Sequence, residues 1–164
     1  MQIRDARPDE LAEIGELRVE AYRSGGFLPA GSGYAPTLRA LGADGQGYVL
    51  VAEDADGTLI GTIMLQLWPQ AGEIVRGSDE AEVRALAVRP EARGGGVGKA
   101  LVAAVIDRAA RKGVRHLVLC SQPEMAAAHR VYEDAGFTRL PERDWSPVPQ
   151  LWLLAYGLPL PENS

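Results

Sequence analysis

The segment Arg93-Gly94-Gly95-Gly96-Val97-Gly98-Lys99 is where this sequence points most directly to chemistry. Glycine has no Cβ, so successive backbone N–H groups can turn toward one point and a ligand can approach them closely. Where such a loop opens a helix, the free amides of the first turn and the positive end of the helix dipole attract an anion, phosphate above all. Arg93 and Lys99 frame the loop with two formal charges. A plain strand-to-helix turn is satisfied by one glycine, whereas more of them cost conformational entropy. Two nucleotide patterns fail here. The P-loop pattern Gly-x-x-x-x-Gly-Lys-Ser/Thr, set on Gly98-Lys99, meets Arg93 where it needs glycine and Ala100 where it needs a hydroxyl. The dinucleotide pattern Gly-x-Gly-x-x-Gly needs glycine at Lys99 if begun at Gly94, and at Val97 if begun at Gly95.

A phosphate loop of this kind must be held between a strand and a helix, and the pattern of apolar residues predicts both. Ala81 to Val88 reads as a strand ended by Arg89-Pro90. Gly98 to Lys112 reads as a helix, with Leu101, Val102, Val105, Ile106 and Ala109 on one face and Gly113 as its stop. Further strands are expected at Gln2–Ala6, Tyr48–Ala52, Leu59–Leu67, Arg115–Cys120, Gly136–Arg139 and Gln150–Tyr156, with a hairpin turn at Asp54–Gly57. A helix opens at Arg7-Pro8-Asp9-Glu10, with Leu11, Ile14, Leu17, Arg18 and Ala21 at helical spacing. Ser121-Gln122-Pro123-Glu124 resembles a capping box for a helix from Met125 to Ala135. Ser24 to Gly47, rich in Gly and Pro but carrying Phe27, Leu28, Tyr34 and Leu38, reads as an ordered cover. The order of elements implies one α/β domain over residues 1–164 around a mixed, mainly antiparallel sheet.

Arg93, Gly96 and Gly98 also fit Gln/Arg-x-x-Gly-x-Gly/Ala, and at this point the sequence resembles the GNAT superfamily of N-acetyltransferases. A second motif agrees. Ala128, Tyr132, Gly136 and Phe137 match the family's Asn-x-x-Ala-x-x-x-Tyr-x-x-x-Gly-Phe in register, while Met125 stands where asparagine is usual. The resemblance implies a twisted sheet of about seven strands flanked by about four helices, and acetyl-CoA as co-substrate. It implies that Leu86, Ala87 and Val88 pair with the pantetheine arm through their backbone, and that Arg93, Gly94, Gly95, Gly96, Val97, Gly98 and Lys99 hold the pyrophosphate. Tyr132 is then the expected general acid: a phenol can share a proton with a departing thiolate and stays protonated at neutral pH. Glu82, where several family members carry a catalytic glutamate, is the expected base acting through water, with Asp79 and Glu80 as neighbouring alternatives. The alternative function is an acyl-CoA-binding domain of the same fold without catalysis.

Other residues read more plainly. Cys120 lies on an apolar strand as a core thiol, and alone it supports neither a disulfide nor a cysteine zinc site. His116 and His129 are not spaced as a metal pair, so no metal is expected, and Ser121 reads as a helix cap. The net charge is −5, from 17 basic and 22 acidic residues, with no basic stripe for nucleic acid. No apolar stretch suggests a membrane span or secretory leader, so the expected location is the cytoplasm. The expected partner is an amine acceptor, entering near Glu82 with Phe27, Tyr34 and Trp68 along its path. The protein is expected as a monomer or a homodimer.

Overall fold

The computed structural model describes residues 1–28, 33–72, 74–149 and 151–161. Its strands are β1 (Gln2–Asp5), β2 (Tyr48–Glu53), β3 (Leu59–Leu67), β4 (Glu80–Val88), β5 (His116–Ser121), β6 (Thr138–Arg139), β7 (Trp145–Val148) and β8 (Leu151–Pro159). Its helices are α1 (Leu11–Ser24), α2 (Ala35–Ala40), α3 (Val97–Arg111) and α4 (Ala126–Asp134). The strands form one mixed sheet in the order β1-β2-β3-β4-β5-β8-β6, with β7 added on β8. Every pairing is antiparallel except β4 with β5. None of the helices among the described residues is long and apolar enough to cross a membrane.

The sheet has a layer of helices on each face. Val97, Leu101, Val102, Val105 and Ala109 of α3 pack on Ile63, Leu65, Ala81, Val83, Leu117 and Leu119. On the other face Ile14, Leu17 and Ala21 of α1 cover Val51, Leu59 and Ala87. The helix-period and strand-period patterns therefore meet as read. Helix α3 stops where glycine was expected to stop it: Gly113 has φ +80°, and the N–H of Val114 returns to the carbonyl of Ala109.

Several boundaries differ from expectation. Helix α1 is preceded by a 3₁₀ turn at Pro8–Glu10, where Glu10 bonds Arg4 and the backbone of Arg7. The expected cover contains α2, which local composition hid, and part of the cover lies outside the described residues, as does Gln150. The capping box does not form: α4 begins at Ala126, its N-cap is Met125, and Ser121 belongs to β5. The Trp145–Pro149 stretch is largely strand β7 paired to β8.

Strand β4 is the element that shapes the interior. It pairs with β5 only at Glu80↔His116, Ala81↔Leu117 and Glu82↔Val118, and beyond that point it has no β5 partner. Its pairing with β3 continues but shifts: Thr62 faces Ala87 and Met64 faces Arg84, so Ile63 stands opposite both Ala85 and Leu86. This is a β-bulge, with Ala85 in the left-handed region at φ +55°. The bulge changes which face each side chain takes. Ala85 packs beside α2 and Ala87 beside α1, whereas Leu86 and Val88 pack on the α3 side. Residues 82, 84, 86 and 88 therefore do not share one face.

The closed end of the β4–β5 pair is fastened by charge. Arg143 makes two bonds to the Glu80 carboxylate, at 2.7 and 2.8 Å, and His116 Nδ1 lies 2.8 Å from it. Burial opposes the charge on Glu80, but the Arg143 guanidinium, the Arg76 N–H and His116 outweigh it and hold the carboxyl down to about 2. Glu80 is thereby committed to structure.

Two outcomes follow for stability. A left-handed conformation costs a residue with a Cβ roughly 1–2 kcal/mol, so Ala85→Gly should be neutral or stabilising by up to ~1 kcal/mol, and Ala85→Val destabilising by about 1–3 kcal/mol; urea denaturation measures both. Because the folded-state pKa of Glu80 is depressed, its contribution is present above the ordinary carboxylate pKa of about 4.5 and is lost as pH falls toward 2. Glu80→Gln should remove that part of the acid-induced fall in melting temperature, and an unchanged acid limb would refute the assignment.

Candidate active site

The cleft opened by the parting of β4 and β5 has a volume of about 460 Å³. One wall is the free edge of β4 at Leu86, Ala87 and Val88, another is Met125, Ala128 and Val131 at the start of α4, and Ala21, Tyr22 and Phe27 close it from α1 and the segment after it. The glycine loop forms its outer end.

Gly94 and Gly96 both have positive φ, at +84° and +79°, and Gly96 is the N-cap of α3. A side chain there would be strained by the backbone alone. Among the described residues, no acceptor receives a hydrogen bond from the backbone N–H of any residue from Gly94 to Lys99; the first amide satisfied is that of Ala100, on Gly96 O at 3.0 Å. These donors, at the positive end of a helix of fifteen residues, fit a pyrophosphate. Lys99 is exposed beside them. Arg93 is turned otherwise: its Nη2 donates to Ala21 O at 2.9 Å and to Ser24 Oγ at 3.0 Å, tying the loop to the end of α1. The free edge of β4 offers backbone donors and acceptors to an extended amide-bearing chain, as one strand offers them to another. Apolar walls and a phosphate-binding end together fit acetyl-CoA.

Met125 lines this cleft, and its sulfur accepts a hydrogen bond from Ser121 Oγ at 3.5 Å. His129 Nε2 lies 3.1 Å from the same hydroxyl. Ser121 thus positions the start of α4 by side-chain contacts instead of by capping. His129 and His116 have separate structural neighbours and do not approach each other.

Neither expected proton-transfer residue lines this cleft: Glu82 sits at the last β4–β5 pair and Tyr132 on α4. Tyr132 is buried against Phe137 and Tyr156, with ring centroids 5.8 and 6.2 Å away, and burial pushes its hydroxyl well above the usual phenol value. Glu82 is 5% exposed, and its Oε1 accepts the N–H of Gly72 at 2.9 Å. Burial raises its pKa, opposed by the nearby charge of Arg84 and by the Gly72 bond. No hydrogen bond joins Glu82 to Tyr132, but both are electrically coupled to Cys120, two residues beyond the last β4–β5 pair. Burial pushes the Cys120 thiol up to about 11, which keeps it protonated and poorly nucleophilic. It packs on the cluster of Ile74, Val75 and Val118, as its place on an apolar strand led one to expect. Of the other expected residues, Phe27 reaches the cleft, while Trp68 and Tyr34 are largely exposed.

The comparisons agree with this geometry. The model of the acetyltransferase (GNAT) family matches residues 11–137. An aminoglycoside N(6')-acetyltransferase type 1 of Stenotrophomonas maltophilia is 32% identical over 138 residues, covering 82% of this chain and 84% of that protein. A mycothiol acetyltransferase of Saccharomonospora viridis is 33% identical over 94 residues, which are 57% of this chain; the chain spans only 30% of that protein's length. The phosphinothricin acetyltransferase of Sinorhizobium meliloti, solved in complex with acetyl-CoA, shares the fold with a TM-score of 0.70 at 20% identity, covering 97% of this chain and 88% of that one. Two motifs in register, a forked sheet and a relative matched along most of both lengths lead to one assignment: the chain belongs to the acetyltransferase (GNAT) family.

Proposed function

We propose that residues 1–164 act as one unit that moves an acetyl group from acetyl-CoA directly to a primary amine of a small molecule or peptide. The observation that carries this reading is the fork itself: the free edge of β4 and the unsatisfied amides of residues 94–99 border one opening, and the buried Glu82 carboxyl sits at the last β4–β5 pair, outside the residues that line it. The family match and the acetyl-CoA complex of a protein of the same fold support the donor.

In the proposed reaction the amine nitrogen forms a bond to the thioester carbon and the C–S bond breaks. One proton leaves the nitrogen and one reaches the sulfur. Glu82 takes the first through a water molecule. Burial raises its pKa toward the range in which a carboxylate is an effective base near neutral pH. Tyr132 gives the second: its hydroxyl stays protonated, and the same low-dielectric surroundings that hold it so make the departing thiolate more basic. A backbone N–H of the Leu86–Val88 segment, freed by the bulge, meets the charge that develops on the carbonyl oxygen. Holding both reactants in one cleft supplies much of the rest. Met125, in the place of a family asparagine, favours the second reading, an acyl-CoA-binding domain without turnover.

Thiol release from acetyl-CoA across a panel of amines separates the two readings, with CoA-induced stabilisation as proof of binding. Binding without release for any amine selects the second. Tyr132→Phe keeps the packing and removes the proton; kcat should fall by about 100-fold or more, within the usual range for general acid–base groups. Unchanged turnover at saturation would remove Tyr132 from the mechanism. Glu82→Gln should depress kcat while raising the melting temperature at pH 7. A carboxyl whose folded-state pKa is raised contributes stability below its unfolded pKa and loses it as pH rises through the folded value. The gain should therefore vanish in acid, and a destabilised variant at pH 7 would contradict the buried-charge account.

A further inference from the structure

Over the face of the sheet that carries Glu82 stand two arginines that, among the described residues, have no carboxylate in contact. Arg18 of α1 is completely buried. Its Nη1 donates to the carbonyls of Leu38 and Leu41, both at 2.9 Å, at the end of α2. Its Nε and Nη2 are buried without any hydrogen-bond partner. Burial pulls its pKa down to about 10; the charge of Arg84 pulls in the same direction, and Tyr22 and Tyr34 are the groups that oppose it. Among the described residues, Arg84, half-buried on β4, bonds only the side-chain oxygen of Gln66, at 3.2 Å. Glu82 is its nearby carboxylate, coupled to it electrically but bonded to Gly72 instead.

This arrangement is costly as it stands. A buried cation is stable when a counter-ion and hydrogen bonds compensate for lost water, and an unpaired one is strongly unfavourable. Here two guanidinium groups repel each other beside the catalytic vertex, in a protein whose acidic residues outnumber its basic ones. Elsewhere the same chain pairs its half-buried arginines closely, as Arg4 with Glu10 and Arg143 with Glu80. A planar guanidinium with free N–H groups is suited to a carboxylate or a phosphate.

From these observations we infer that the acceptor is an amine that also bears an anionic group, a carboxylate or a phosphate, which Arg84 binds with the buried charge of Arg18 behind it while Glu82 faces the amine. The inference rests on the acetyl-transfer reading above and narrows its substrate class. A polycation such as an aminoglycoside would bring like charge to this pair, so the named relative's substrate is not the one the site favours.

The test uses the full chain and matched acceptors: α-amino acids against their carboxamides, 4-aminobutyrate against n-butylamine, phosphoethanolamine against ethanolamine, and kanamycin as the polycation. At least one anionic member should exceed its neutral counterpart by more than tenfold in kcat/KM. Arg84→Gln should erase that ratio by raising KM for the anionic member and not for its neutral counterpart, with any change in kcat shared by both and CoA-induced stabilisation near wild type. Arg18→Met should act likewise if it folds; Arg84→Gln decides the matter if it does not. Preference for neutral amines or for kanamycin throughout the panel, or a ratio indifferent to Arg84, overturns the inference. Should no amine be acetylated, the transfer reading fails and binding decides this one. Thermal stabilisation by the anionic members, lost in Arg84→Gln, supports the anion pocket, and its absence in wild type refutes it.

Discussion

Strand β4 keeps one neighbour along its whole length and loses the other halfway, and most of the molecule's useful geometry descends from that asymmetry. Pairing with β3 holds the strand in the sheet, while the end of pairing after Glu82 and Val118 leaves a row of backbone groups without partners. Such groups are tolerated only where water or a ligand reaches them. The bulge at Ala85 and Leu86 then rotates the outer part of the strand, turning Leu86 and Val88 toward α3 and Ala87 toward α1. Helix α3 follows two turns later and brings its own unsatisfied amides to the outer end of the same opening. A donor with phosphates at one end and amides along its length meets complementary groups throughout.

The chain treats its buried charges in two ways. Glu80 is surrounded by Arg143, His116 and a backbone N–H, and its charge is stabilised far below the ordinary range. Two residues along the same strand, Glu82 has one backbone donor and a raised pKa, while Arg18 and Arg84 are short of partners. The contrast separates a group that fastens the sheet from groups whose remaining partners the proposed substrate would supply. Incomplete satisfaction is expected where function requires it, and local rules break there by design of the site. A fold that satisfied Glu82 as fully as Glu80 would leave the proposed reaction without its base.

The phosphate loop and α3 were legible because each depends on local sequence: glycine where φ is positive, an apolar stripe at helical spacing, a glycine stop. Most strands were legible for the same reason. The short α2 was hidden by Gly and Pro around it, since its stability comes from Ala35 and Leu38 packing under α1, a tertiary effect. The capping box at Ser121 failed because β5 continues through that residue and its hydroxyl turns to Met125 and His129. Glu82 could be named from its place before Leu86, but its burial and its separation from Leu86 by a bulge could not. Arg18 looked like one more helical residue on an apolar stripe. Only the assembled packing shows that, among the described residues, no acid bonds it.

The bond from Arg93 to the end of α1 has an implication for how such a protein can change. One side chain, rooted in the glycine loop, grips Ala21 O and Ser24 Oγ on the helix that, on the proposed reading, covers the acceptor. The two recognition surfaces are thus not separable modules. A lineage that remodels the end of α1 to admit a new amine must preserve a carbonyl and a hydroxyl within reach of position 93, or surrender the anchor of its phosphate loop. On the proposed reading, selectivity for the acceptor is free to drift along the interior turns of α1, at positions such as Arg18 and Tyr22, and held fast at the helix's last turn.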